Sequence, residues 1–283
     1  VVVDIDENEL NKLSCKYKIN SDSNSFIEWF LTKKIKNNCF SWVEKANLLK
    51  EKYSLQKESC GIPVYDFIYL LSKSMDENDI LIPGSSGTAA EVTLQAFNVK
   101  RGQRIINSPG LGSMGFGIPA SIGACIASGR KNTVCIEGDG SFIMNVQELE
   151  IIKRLNLPIK IFVLNNNGYE SIRNTQNSFF EGEHVASDKK GGLTLPNIQN
   201  MAKGFKIDYE RCNDLGFTFD EKKIASVIKQ TSPMICEVML PFENKIICKS
   251  ISYKKSDGTF ARRSMENLYP FLPEEEIKEA MAM

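Results

Sequence analysis

The chain has 283 residues, 42% of them hydrophobic, enough for one sizeable core or a core with extensions. Lys plus Arg and Asp plus Glu balance at 35 each, so the chain is not strongly basic overall and nothing in the totals suggests a nucleic-acid or membrane-surface partner. No stretch reaches the roughly 18 uninterrupted apolar residues of a membrane span and no signal peptide is visible. Eight cysteines form no CxxC pair, and Cys125, Cys135 and Cys236 sit in apolar segments, so they read as buried reduced thiols of a cytoplasmic protein.

In chain order, VVVDIDENEL opens in mid-strand without an initiator Met, so the chain reads as the C-terminal part of something longer. Residues 1–6 predict a buried strand followed by a helix start. Asp4, Asp6 and Asn8 imitate the beginning of a calcium loop, which fails because Glu9 stands where the turn needs Gly and Cys15 where the bidentate Glu belongs. The Lys- and Asn-rich stretch 16–59, with Trp29, Phe40 and Trp42 as spaced apolar anchors, predicts a helical linker packed on a neighbour. From Gly61 a regular alternation begins: helix 64–72, strand 80–82, helix 89–97, strand 104–107, helix 116–128, strand 133–136, helix 145–155 and strand 160–164. Helices near 195–203 and 221–230 and a strand at 234–238 complete it. Strands alternating with helices imply an α/β fold, a three-layer arrangement of one parallel sheet with helices on both faces. Ligands bind such sheets beyond the carboxyl ends of the strands, which directs attention to the loops after Ile82, Asn107, Ile136 and Leu164.

The loop GLGSMG, 110–115, matches the GxGxxG dinucleotide fingerprint, and Glu137 ends the next strand as a ribose-binding acid does. The context is wrong, because QRIINSP with Pro109 replaces the apolar strand that should run into the first Gly, and Glu137 comes late. Tight helix packing accounts for Gly117 and Gly123 better than for Gly110, Gly112 and Gly115. The stretch EGDGSFIMNVQELEIIKRLNLPIKIFVLNNNGYESIR is more demanding. Between Asp139 and Asn166 the chain runs loop, helix, strand, loop, one βαβ unit, so both residues fall at the carboxyl ends of neighbouring parallel strands. A carboxylate, an amide oxygen and a backbone carbonyl are hard ligands suited to Mg²⁺ or Ca²⁺, and a bound phosphate would complete the shell while the amides of Gly140 and Ser141 donate to it. Asn165 and Asn167 are left with turn duties.

GDG followed one βαβ unit later by NN resembles the thiamine diphosphate motif, and GLGSMGFGIPASIGA with GDGSFIMNVQEL resembles the acetolactate synthase branch of that family. The resemblance covers about residues 61–240; VVVDIDENEL looks like the last strand of the family's middle domain and DGTFARRSMENLYPFLPEEE like its tail. It implies a middle-domain end over 1–20, a helical linker over 21–60, the diphosphate domain over 61–240, and over 241–283 a tail that acts as an active-site lid or a packing extension. Asp139 and Asn166 would hold Mg²⁺ through their side chains and Gly168 through its carbonyl, with Gly140 and Ser141 on the diphosphate. In the loop GSSGTAAE, Gly87, Thr88 or the serines would add contacts where relatives carry Gln-His. The Gly112 carbonyl would face the aminopyrimidine amine, the Met114 amide a ring nitrogen, and the Met114 side chain the bend of the cofactor. The implied reaction is decarboxylation of a 2-keto acid, pyruvate, with transfer of the acyl unit to a second carbonyl. Thr175 stands where those synthases carry an acceptor-selecting Trp, so nucleotide-linked keto-sugars are alternative acceptors; a simple decarboxylase and a non-catalytic nucleotide-binding module are the rivals. The activating Glu belongs in this family to an N-terminal domain across a subunit interface, which implies a homodimer or homotetramer and no catalytic residue in this chain. FAD is left open, since the family holds it mostly through its middle region. His184, the single histidine, reads as a solvent-exposed loop residue.

Overall fold

The computed structural model describes residues 1–33, 39–54, 60–84, 87–214, 216–262 and 265–282. They group into two compact units, Val1–Tyr53 and Ser54–Ala282.

The first unit pairs β1 (Val2–Asp4) in parallel with β2 (Lys18–Asn20) around α1 (Glu7–Lys12), followed by α2 (Ser23–Leu31) and α3 (Phe40–Tyr53). The acids that imitate a calcium loop serve the chain turn: Asp6 caps α1 by accepting from the Asn8 amide at 2.8 Å, and Asp4 accepts from the Asp6 amide at 2.9 Å. β1 is half-buried rather than buried. Trp29, Phe40 and Trp42 are exposed by 53%, 81% and 70%, so none of the expected anchors is buried.

The second unit runs α4 (Pro63–Ser74), β3 (Ile80–Pro83), α5 (Gly87–Ala96), β4 (Arg104–Ile105), α6 (Gly117–Ala127), β5 (Thr133–Gly138) and α7 (Asp139–Phe142). A 3₁₀ segment (Ile143–Glu148), α8 (Leu149–Arg154), β6 (Ile159–Asn165), α9 (Glu170–Phe179), α10 (Ile198–Phe205), β7 (Asp208–Arg211), α11 (Glu221–Ile228) and β8 (Met234–Met239) follow. The strands form one parallel sheet of order β4-β3-β5-β6-β8-β7. Predominantly apolar central strands such as IKIFVL, interrupted only by the buried Lys160, suit a sheet covered on both faces. Their period of two divides the core. Leu81, Val134, Ile136, Phe162, Leu164 and Val238 face the cluster that holds α4, α5 and α11, while Cys135, Ile159, Ile161, Val163 and Ile235 face the cluster of α6, α8 and α10. Cys125, Cys135 and Cys236 are buried, as expected.

Three features differ from the sequence reading. The single helix expected over 145–155 is divided between the 3₁₀ segment and α8, because Asn145 leaves helical geometry (φ −131°) and spends its side-chain amide on the Gly115 carbonyl at 2.9 Å. α9 was not expected, nor was the edge strand β7. After β8 the tail forms a hairpin, β9 (Ser252–Lys254) with β10 (Phe260–Arg262), and a last helix α12 (Glu274–Ala282). Its first residues are packed: Ile246 joins the core, and the Tyr65 hydroxyl accepts from the Ile247 amide at 3.1 Å. Among the described residues no helix is long and apolar enough to cross a membrane.

Candidate functional site

β5 and β6 pair in register up to Gly138 opposite Leu164, so the residues that follow leave adjacent strand ends. Asp139 opens α7 and is 4% exposed. Its Oδ1 accepts from the Gly140 amide at 2.7 Å and its Oδ2 from the Gly168 amide at 2.9 Å, which ties the two loops directly. Burial pushes its carboxyl up to about 6, although the Gly168 and Gly140 amides and the Arg173 guanidinium pull the other way. Asn166 donates through Nδ2 to Glu170 Oε2 at 2.8 Å, while its Oδ1 is buried with no hydrogen-bond partner among the described residues. Gly168 sits at φ +137°, and a Cβ there would collide with the Ser187 carbonyl; its own carbonyl accepts from the Glu170 amide at 3.2 Å.

The glycine loops interlock. Ser141 Oγ accepts from the Gly115 amide at 2.8 Å, which with the Asn145 bond holds both polar groups of that residue and stitches the GLGSMG loop to the GDGS loop. Tyr169 lies against Gly140, leaving no room for a Cβ. Gly140→Ala is therefore expected to force the ring aside and lower stability by about 1–3 kcal/mol in urea unfolding, the usual cost of overpacking. Glu137 is fully buried, accepts from the Gly117 amide at 2.6 Å, and is pushed up to about 7 by burial. It would also meet a Cβ at Gly84 or Gly117, so Gly117 answers to close packing as expected. Gly123 does not, since a Cβ there would meet nothing within 4 Å.

Gly87, Thr88, Met114, Asp139, Gly140, Ser141, Asn166 and Gly168 all line one cleft at the carboxyl ends of the strands. Gly112 stands apart from that lining, at φ +60° with its amide on the Ser108 carbonyl at 3.1 Å. The Thr88 hydroxyl donates to Glu170 at 2.6 Å, and the Gly140 amide is already committed to Asp139. Ser85 and Ser86 lie outside the described residues. A second cavity of about 380 Å³ shares Asp139 and adds Asn165, Asn167 and Glu237. Asn165 does more than turn duty: besides accepting from the Asn167 amide at 3.1 Å it donates to Glu237 at 2.6 Å. His184 is likewise no free surface residue, its Nδ1 lying 2.6 Å from Asp188 and its Nε2 2.8 Å from Asn177.

Two residues that sequence reasoning passed over close the site from behind. Glu170 is 5% exposed and Arg173 1%. Arg173 donates through Nη2 to the Phe242 carbonyl at 2.7 Å and the Asn166 carbonyl at 3.3 Å and through Nη1 to the Ser187 carbonyl at 3.3 Å, and stacks 4.1 Å over the Phe242 ring. The available signal was their spacing of three, which puts two charges on one face of α9.

The unpaired Asn166 oxygen beside a carboxylate-bearing loop fits a hard cation, and the glycine cleft around it fits a diphosphate group. Fold and cleft define a doubly covered parallel α/β domain with a polar ligand site at its strand ends. The chain belongs to the thiamine pyrophosphate enzyme family: the profile of "Thiamine pyrophosphate enzyme, C-terminal TPP binding domain" matches residues 85–238. Similar proteins include the acetolactate synthase isozyme 2 large subunit of Escherichia coli K12, 34% identical over 72% of this chain and 37% of that protein, and the acetolactate synthase large subunit of Lactococcus lactis, 30% identical over 84% and 41%. The chloroplastic acetolactate synthase of Arabidopsis thaliana is 38% identical over 73% of this chain and 31% of its own length. The chain thus spans well under half the length of these relatives. A solved structure, the thiamine diphosphate-dependent 4-hydroxybenzoylformate decarboxylase of Rhodococcus jostii RHA1, shares the fold with a TM-score of 0.53 at 21% identity, over 64% of this chain and 33% of that one.

Proposed function

We propose that this chain binds thiamine diphosphate through a Mg²⁺ ion held by Asp139, Asn166 and the Gly168 carbonyl. We further propose that it is the cofactor-binding portion of an enzyme that decarboxylates pyruvate, or a related 2-keto acid, and transfers the acyl unit to a second carbonyl. The observation that carries the metal assignment is the Oδ1 of Asn166, buried and without a partner among the described residues, on the strand end next to Asp139. The chemistry the cofactor supplies when bound is that of a nucleophilic carbon with an adjacent electron sink. Asp139 and Asn166 contribute charge and oxygen donors, Gly140 and Ser141 line the diphosphate end of the cleft, and the stitching of Gly115 by Ser141 and Asn145 fixes the loop that carries Met114. The likeness to acetolactate synthases supports carbon–carbon bond formation as the outcome. Exposed Leu111 (87%), Met114 (37%) and Met144 (47%), on or beside the glycine loops, support an assembled homodimer or homotetramer that covers this face, and the buried thiols support a cytoplasmic setting.

The test is product analysis on the full-length enzyme supplied with pyruvate, thiamine diphosphate and Mg²⁺. A branched hydroxy-keto acid is the expected product. Acetaldehyde alone would move the assignment to a simple decarboxylase, and a product formed only when a nucleotide-linked keto-sugar is added would identify that acceptor.

A further inference from the structure

We infer that Glu170 is a positioning residue that sets which atom of Asn166 meets the cation. The inference rests on the metal site proposed above. Three donors converge on the Glu170 carboxylate: the Asn244 amide on Oε1 at 2.7 Å, and the Thr88 hydroxyl at 2.6 Å and Asn166 Nδ2 at 2.8 Å on Oε2. A carboxylate that receives three donors acts as acceptor only. Asn166 has two chemically different ends, an NH₂ that donates and an oxygen that accepts, and the two are exchanged by a half-turn of the amide. With its NH₂ pinned by Glu170, the oxygen is the atom left over, and it is this oxygen that is buried without a partner among the described residues. The reversed amide would set Oδ1 against the carboxylate and turn two N–H donors toward the place of a cation, repulsive on both sides.

The arrangement also couples distant parts of the chain to one ligand atom. Thr88 comes from the start of α5 and Asn244 from the turn after β8, so the start of α5 and the beginning of the tail both report to Asn166 through Glu170. Glu170 is the first residue of a helix of 10 residues, where a negative charge is favoured by the helix dipole, and Arg173 one turn on supplies a compensating cation.

The test exchanges the two chemistries. Glu170→Gln keeps the shape but offers one acceptor oxygen and one NH₂ to three donors, so Asn166 is no longer held in one orientation. The Mg²⁺ concentration that half-saturates thiamine diphosphate binding, read by calorimetry, is expected to rise about tenfold or more, the usual effect of losing a partner that orients a metal ligand. Adding Asn166→Asp to that variant restores a matched pair, because the introduced glutamine amide can donate to a carboxylate whose two oxygens are equivalent; Mg²⁺ affinity should return toward the wild-type value. A purely structural role for Glu170 predicts no such rescue. Asn166→Asp in the otherwise unchanged chain sets two carboxylates side by side and is expected to bind Mg²⁺ more weakly than the double variant, and this comparison stands even if Glu170→Gln alone does not fold. Unchanged Mg²⁺ dependence in Glu170→Gln, or no recovery in the double variant, would overturn the inference. Absence of Mg²⁺-dependent binding in the unaltered chain would instead overturn the metal site itself.

Discussion

Asp139→Asn is expected to stabilise the unbound chain at pH 8 while abolishing the Mg²⁺-dependent part of its affinity for thiamine diphosphate. The carboxyl is raised by burial from 3.8 to about 6 in the folded chain, so between those values the folded state holds the proton more tightly than the unfolded one. Stability from this group therefore falls as pH rises through that window, and above about pH 6 the full cost of an ionised buried carboxylate is present. The rise corresponds to about 3 kcal/mol. Asn retains an oxygen for one of the Gly168 and Gly140 amides, so part of that cost is recovered, on the order of 1–3 kcal/mol at pH 8 and roughly half as much at pH 5. Urea unfolding at the two pH values checks this, and a variant less stable than wild type at pH 8 would contradict it. The same burial makes the ionised carboxylate costly until a cation arrives, so binding of Mg²⁺ near pH 6 should release a proton.

Arg173→Met is expected to be the most destabilising single change at the site, by about 3–5 kcal/mol in urea unfolding. Three carbonyls, those of Asn166, Ser187 and Phe242, lose a buried guanidinium donor, and the stacking on Phe242 is lost with it. Arg173→Lys should recover little, because an ammonium cannot span three carbonyls in the plane of a fork. Removing the cation also removes one of the influences that hold Asp139 down, so the Mg²⁺ requirement of any protein that still folds should increase at neutral pH.

The parallel sheet and its strand-end loops were legible because each central strand is an apolar run closed by a polar turn, and because GDG and NN lie one βαβ unit apart. That spacing alone puts Asp139 and Asn166 just beyond the ends of adjacent strands, as β5 and β6 show. α9 was illegible for a physical reason: its buried residues are Glu170 and Arg173, so the apolar stripe that announces a helix is replaced by a charged one. β7 was missed because three of the four residues of DYER are charged and the strand lies on the sheet edge, where one side needs no apolar cover. The role of Glu170 could not be read from neighbouring residues, since two of its donors come from 82 and 74 positions away. Asn145 hid a helix break inside an amphipathic stretch, its side chain being drawn to the Gly115 carbonyl 30 positions earlier.

The most direct test of the central claim is calorimetric titration of thiamine diphosphate into the chain with Mg²⁺ present and with Mg²⁺ removed by chelation. Saturable binding at one site that disappears without the metal is the predicted result; binding that is indifferent to Mg²⁺, or a preference for NAD over thiamine diphosphate, would contradict it.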